Sequence, residues 1–92
     1  MKIIVRIFGE LTTILGSRHI LELVEGSNVG MLVNRLARMS GQTRSGFLGE
    51  HRIDDRDLAI LVNGRNMELL DGLKTLLNDG DEVVFLIPTA GG

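Results

Sequence analysis

With 92 residues, 43% of them hydrophobic and 24% charged, the chain can build one core but not a deeply enclosed catalytic cavity, and it reads as globular rather than disordered. A net charge of −2, with ten basic residues dispersed among twelve acids and three Phe as the only aromatics, gives no electrostatic footprint for nucleic acid. The absence of cysteine removes disulfides, thiolate metal sites, iron–sulfur clusters and cysteine nucleophiles together.

Lys2 to Phe8 is β-branched and apolar in alternation, which predicts a strand with Ile3, Val5 and Ile7 on one face and Ile4, Arg6 and Phe8 on the other. A loop containing Gly9 and Gly16 leads to a second strand over Arg18 to Val24, Ile20 and Glu22 facing opposite to Leu21 and Leu23. The short connection makes the two an antiparallel hairpin. Ser27 or Asn28 is a good N-cap for a helix running to about Ser40, with Gly41 as its stop. Val29, Leu32, Val33, Leu36 and Ala37 form its apolar stripe, while Arg35 and Arg38 fall toward water. Gly30 costs that helix about 1 kcal/mol relative to Ala, so packing of the stripe has to hold the first turn.

Gln42 to Asp57 is polar and charged, and is expected to be an ordered connection anchored by Phe47. Leu58 to Val62 is an unbroken apolar run, as in a strand covered on both faces, and Asn63-Gly64 is a hairpin turn signal. A short strand is expected over Arg65 to Met67, then a short helical turn within Leu69 to Leu77 around Gly72, a turn at Asn78-Asp79-Gly80-Asp81, and a last strand over Glu82 to Ile87. The order ββαββ permits an α+β fold, a mixed sheet of four to five strands with one helix across one face. Its first and last strands, the most apolar, are expected to lie parallel in the middle. This arrangement resembles the β-grasp of ubiquitin. Residues 1–88 are expected to form one domain and residues 89–92 a flexible tail.

On that sheet Ile4 and Phe8 would share the helix-free face with Val84 and Leu86, an exposed apolar patch of the kind that marks a partner site, with Met67 at its rim. Past Pro88, which stiffens the exit, Thr89, Ala90, Gly91 and Gly92 span up to ~13–14 Å when extended. That reach would carry a terminal carboxylate on side-chain-free glycines into a narrow channel of another protein.

Other constellations are weaker. His51 with Asp54, Asp55 and Asp57 lacks a recognisable ligand spacing and reads as a charged loop. Asp79 and Asp81 flanking Gly80 read as turn chemistry, and His19 lies in a strand with no Ser or Cys partner nearby. No metal site and no catalytic constellation are expected, so the chain is not expected to be an enzyme. No apolar stretch reaches the roughly 18–20 residues of a membrane span. No membrane partner is therefore expected, and the expected location is the cytoplasm.

Phe8-Gly9-Glu10-Leu11 leading to Gly16, Val62-Asn63-Gly64, Leu77-Asn78-Asp79-Gly80-Asp81-Glu82-Val83 and Pro88-Thr89-Ala90-Gly91-Gly92 together resemble the MoaD/ThiS family of ubiquitin-like sulfur carriers. Ile60-Leu61-Val62-Asn63-Gly64 and the long middle connection resemble its archaeal members that double as protein modifiers. Before Gly-Gly, molybdopterin-synthase small subunits usually carry Pro-Pro-Val-Ser/Thr, whereas Ile87, Pro88, Thr89 and Ala90 stand here. The resemblance implies that Gly92 is adenylated by a ubiquitin-activating-type enzyme. That enzyme consumes the ATP, and the carrier binds no cofactor itself. The acyl adenylate would then become a thiocarboxylate, giving up sulfur in molybdopterin, thiamine or tRNA biosynthesis, or pass to target-protein lysines as an isopeptide. The resemblance further implies docking through Phe8 and Leu86, a molybdopterin-synthase large subunit as a second partner, and a monomer when free. A β-grasp interaction module that binds non-covalently, its tail incidental, is the third reading.

Overall fold

A computed structural model describes residues 1–9, 12, 16–39, 41 and 59–86. Five strands, β1 (Lys2–Phe8), β2 (Arg18–Glu22), β3 (Ala59–Val62), β4 (Arg65–Asn66) and β5 (Glu82–Leu86), form one sheet in the order β2-β1-β5-β3-β4. The helix α1 (Val29–Met39) lies between β2 and β3 in the chain. β1 and β5 pair in parallel, Val5 beside Val83 and Ile7 beside Phe85, and every other pairing is antiparallel. The expected central parallel pair is thus present, with β5 at the middle of the sheet.

Alternation along the strands sends one set of side chains toward α1. Ile3, Val5, Ile7, Val83 and Phe85 are all buried on that side, packed with Val29, Leu32, Val33, Leu36 and Ala37 of the helix stripe. Fully burying an aliphatic or aromatic side chain is worth about 1.5–3 kcal/mol, so the stripe as a whole outweighs the ~1 kcal/mol cost of Gly30. Gly30 also has a positive reason to be there. A Cβ at that position would lie 3.2 Å from the Leu73 carbonyl oxygen and 3.3 Å from Asn28 Oδ1. A side chain there would press on the Gly72–Lys74 turn, which would have to shift by a few tenths of an ångström.

Of the two expected caps Asn28 serves: its Oδ1 accepts the Met31 N–H at 2.9 Å. Ser27 instead donates its hydroxyl to the Val24 carbonyl at 2.6 Å. Its N–H reaches the same oxygen at 3.1 Å, and this turn ends β2 at Glu22 rather than at Val24. At the other end of α1, Gly41 has φ +76°, and its N–H bonds the Arg38 carbonyl at 3.0 Å. Ser40 lies outside the described residues, as does the whole segment 42–58 with the expected Phe47 anchor.

β3 differs from the sequence expectation. Ile60 and Val62 are buried, but Ala59 and Leu61 are only partly so, because α1 covers a single face of the sheet. Asn63 (φ 51°) and Gly64 (φ 85°) are both left-handed and close the two-residue hairpin between Val62 and Arg65. The strand after it stops at Asn66, whose Oδ1 caps the 3₁₀ turn Met67–Leu69 by accepting the Glu68 N–H at 2.9 Å. A second 3₁₀ turn, Gly72–Lys74, follows.

The turn at 78–81 joins β1 to the hairpin. Asp79 Oδ1 accepts the Lys2 N–H at 2.7 Å, and Asp81 accepts the Asn78 N–H at 2.8 Å and Asn63 Nδ2 at 2.9 Å. Asn63 Oδ1 in turn accepts the Glu82 N–H at 3.0 Å. These bonds account for Asp79 and Asp81 as turn chemistry and hold the Asn63-Gly64 hairpin against the start of β5.

Candidate functional site: the helix-free sheet face

The face away from α1 carries the alternate residues of each strand. The β1–β5 register sets Phe8 beside Leu86, Arg6 beside Val84 and Ile4 beside Glu82. Phe8 is 46% exposed and Leu86 38%, while Ile4 and Val84 are partly buried. The structure therefore brings Ile4, Phe8, Val84 and Leu86 onto one surface, and the face assignment made from alternation holds.

Two neighbours widen that surface beyond the sequence expectation. Ile20 of β2 sits opposite Ile4 and is 58% exposed, and Leu61 of β3 sits opposite Val84. Ile20 was discoverable from its phase relative to Leu21. Leu61 was not, because nothing within an unbroken apolar run marks which residues point outward.

Met67 is the correction. It is 2% exposed and belongs to the core, so it is not a rim residue of this surface. Its place after the Asn63-Gly64 turn suggested the rim, but the 3₁₀ turn that begins at Met67 ends the strand and its side chain is buried in the core.

The apolar surface is crossed by charge. Arg6 Nη1 lies 3.7 Å from Glu82 Oε2, and its guanidinium carbon stands 6.0 Å from the Phe8 ring centroid. Both partners of the ion pair are about half exposed, so it contributes little to stability. The described part of β5 ends at Leu86, next to Phe8, at the border of the exposed apolar surface. Ile87, Pro88, Thr89, Ala90, Gly91 and Gly92 lie outside the described residues, as do His51, Asp54, Asp55 and Asp57. Among the described residues no group of three or more His, Asp or Glu side chains is placed to hold a metal ion. Nor is any described helix long and apolar enough to cross a membrane.

A small sheet with one helix-covered face and one exposed apolar face is shared by many proteins, and comparison with known chains separates them. The ThiS family model matches residues 5–92. The chain belongs to the ThiS family. A relative from Archaeoglobus fulgidus, named as a candidate sulfur carrier protein, is 32% identical over 68 residues, 74% of this chain and 77% of that one. The solution structure of small archaeal modifier protein 1 from Methanosarcina acetivorans is 27% identical, with a TM-score of 0.71 over 99% of this chain and 96% of that one. Subunit 1 or 2 in the molybdopterin-converting factor complex of Helicobacter pylori is 25% identical, with a TM-score of 0.60 over the full length of both chains. With such neighbours this ThiS-family chain shares the ubiquitin-like β-grasp, an α+β arrangement in which a mixed five-stranded sheet packs against α1. By name, these relatives include a sulfur carrier and a protein modifier.

Proposed function

We propose that this chain is a sulfur carrier whose working group is the carboxylate of Gly92, delivered to an adenylating enzyme that docks on the helix-free sheet face. The observation that carries the reading is that the family match runs on through residue 92, while the exposed pair Phe8 and Leu86 stands at the end of the described part of β5. A docked partner would then lie beside the point from which Thr89, Ala90, Gly91 and Gly92 thread toward its nucleotide.

A carboxylate has no usable leaving group, so activation has to come first. One carboxylate oxygen attacks the α-phosphorus of ATP and pyrophosphate leaves, which produces an acyl adenylate at Gly92. A sulfur nucleophile supplied as sulfide or persulfide then attacks the acyl carbon. AMP departs, and a thiocarboxylate remains once any persulfide S–S bond is cleaved by a thiol reductant. The ATP belongs to the enzyme, and the carrier contributes a reactive end and a docking face, with no catalytic side chain. The cytoplasm is the compartment in which such activation would occur.

Intact mass is the direct test. Incubation with ATP, a sulfur source and an adenylating partner that is active on its own substrate should raise the mass by the difference between sulfur and oxygen. An unchanged mass rejects the reading. The match to an archaeal modifier protein supports a second outcome from the same adenylate, attack by a lysine amine to give an isopeptide and AMP. Gly-Gly remnants on target lysines in digests of cells expressing a variant with a protease site before the tail would establish it. The similarity to a chain of a two-subunit complex supports a molybdopterin-synthase-like large subunit as a partner that would receive the sulfur. Cells that lose nothing when Gly91 and Gly92 are deleted would instead favour a purely non-covalent β-grasp module.

A further inference from the structure

β1 and β2 place Arg6 directly opposite Arg18. The Leu23 N–H bonds the Met1 carbonyl at 2.9 Å and the Ile7 N–H bonds the Ser17 carbonyl at 3.0 Å, which makes the odd-numbered rungs of this ladder the hydrogen-bonded ones. The Arg6–Arg18 rung is therefore a non-hydrogen-bonded pair, the kind in which cross-strand side chains approach most closely. Like charges directly opposite each other in that position oppose folding.

The acids on the same face do not relieve both arginines. Glu22 is opposite Lys2 and lies 3.4 Å from the Met1 ammonium. Glu82 lies 3.7 Å from Arg6. Among the described residues Arg18 has no ion pair, and β2 is an edge strand with no neighbour on its other side. A chain with net charge −2 thus sets two arginines opposite each other on neighbouring strands, of which only Arg6 has an acidic partner among the described residues, on the face that carries Ile20, Ile4 and Phe8.

We infer that Arg6 and Arg18 are specificity residues of the docking face, and that the adenylating partner answers them with a carboxylate side chain seated between the two guanidinium groups. The inference rests on the carrier reading above and adds to it the chemistry of the partner's surface. Charge complementarity of this kind acts on encounter and on choice of partner. A repulsive pair in the free carrier would be relieved only by the correct acidic surface, so a partner without that acid meets an unfavourable contact.

The test is steady-state pyrophosphate release by the purified adenylating partner as carrier concentration is varied, together with thermal unfolding of each free carrier. Arg18→Glu should raise KM for the carrier about tenfold or more with little change in kcat. The wild-type KM should rise with salt, and that dependence should flatten in the variant. Arg18→Lys should keep most of the wild-type behaviour. Free Arg18→Glu should melt no lower than wild type, because an acid opposite Arg6 replaces a repulsion by an attraction. A residue with a merely structural role would not weaken docking while leaving the melt intact. If Arg18→Glu fails to fold, Arg18→Gln carries the test with a smaller rise in KM. Wild-type turnover with an unaltered KM in the variant overturns this inference alone. Wild-type carrier that the active partner never adenylates overturns the carrier reading and this inference with it.

Discussion

The two faces of the sheet are built from the same strands and differ by one residue of phase. On the α1 face, Ile3, Val5, Ile7, Val83 and Phe85 are each at most 1% exposed. On the other, Phe8, Ile20 and Leu86 are between 38% and 58% exposed although they are as apolar. Hydrophobicity alone does not decide burial here. The presence of a helix on one side does, and the uncovered side is left as a surface that a second protein can complete.

The largest expected effect lies on the covered face. Phe85→Ala at the centre of β5 should cost about 3–5 kcal/mol, a large share of the roughly 5–15 kcal/mol available to a small domain, and chemical denaturation should show a much lower midpoint. Gly30→Val tests the close approach of α1 to the second 3₁₀ turn, and should cost about 1–3 kcal/mol by overpacking against the Leu73 carbonyl. An increase in stability, as expected where a helical glycine stands in open space, would break that account. Removing the α1 cap with Asn28→Ala should cost about 1 kcal/mol, read as a drop of a few degrees in melting temperature. The smallest stability effects belong to the open face. Phe8→Ala and Leu86→Ala should each shift unfolding by less than about 1 kcal/mol, yet weaken binding of the adenylating partner by roughly fivefold or more, measured by calorimetry. Unfolding by either would mean that the two faces are not the separate regions described.

The contrast between the faces was legible in β1 because Lys2 and Arg6 punctuate its apolar residues, and in α1 because its stripe is bounded by Arg35 and Arg38. The open-face residues Ile4, Phe8, Val84 and Leu86 followed from the same alternation. It was not legible in β3, where four apolar residues in succession conceal which of them α1 covers. Met67 was misplaced because its position after the Asn63-Gly64 turn does not disclose that the strand stops at Asn66 and that a 3₁₀ turn, capped by the bond from the Glu68 N–H to Asn66, begins there. Gly30 reads in sequence only as a helical weakness. The tight contact that a Cβ there would make with the Leu73 carbonyl, far along the chain, is something no local pattern discloses. The Arg6–Arg18 rung needs a register to be visible at all.

The place of β5 in the middle of the sheet has a consequence for how the protein folds. Among the described strands it pairs with β1 through the contacts most distant in sequence, and with β3 on its other side. Long-range pairing of this type slows folding. Without β5 the β1–β2 and β3–β4 pairs share no hydrogen-bonded edge, so neither hairpin can complete the core alone, and one late-forming strand ties the assembly of the buried face to that of the open one.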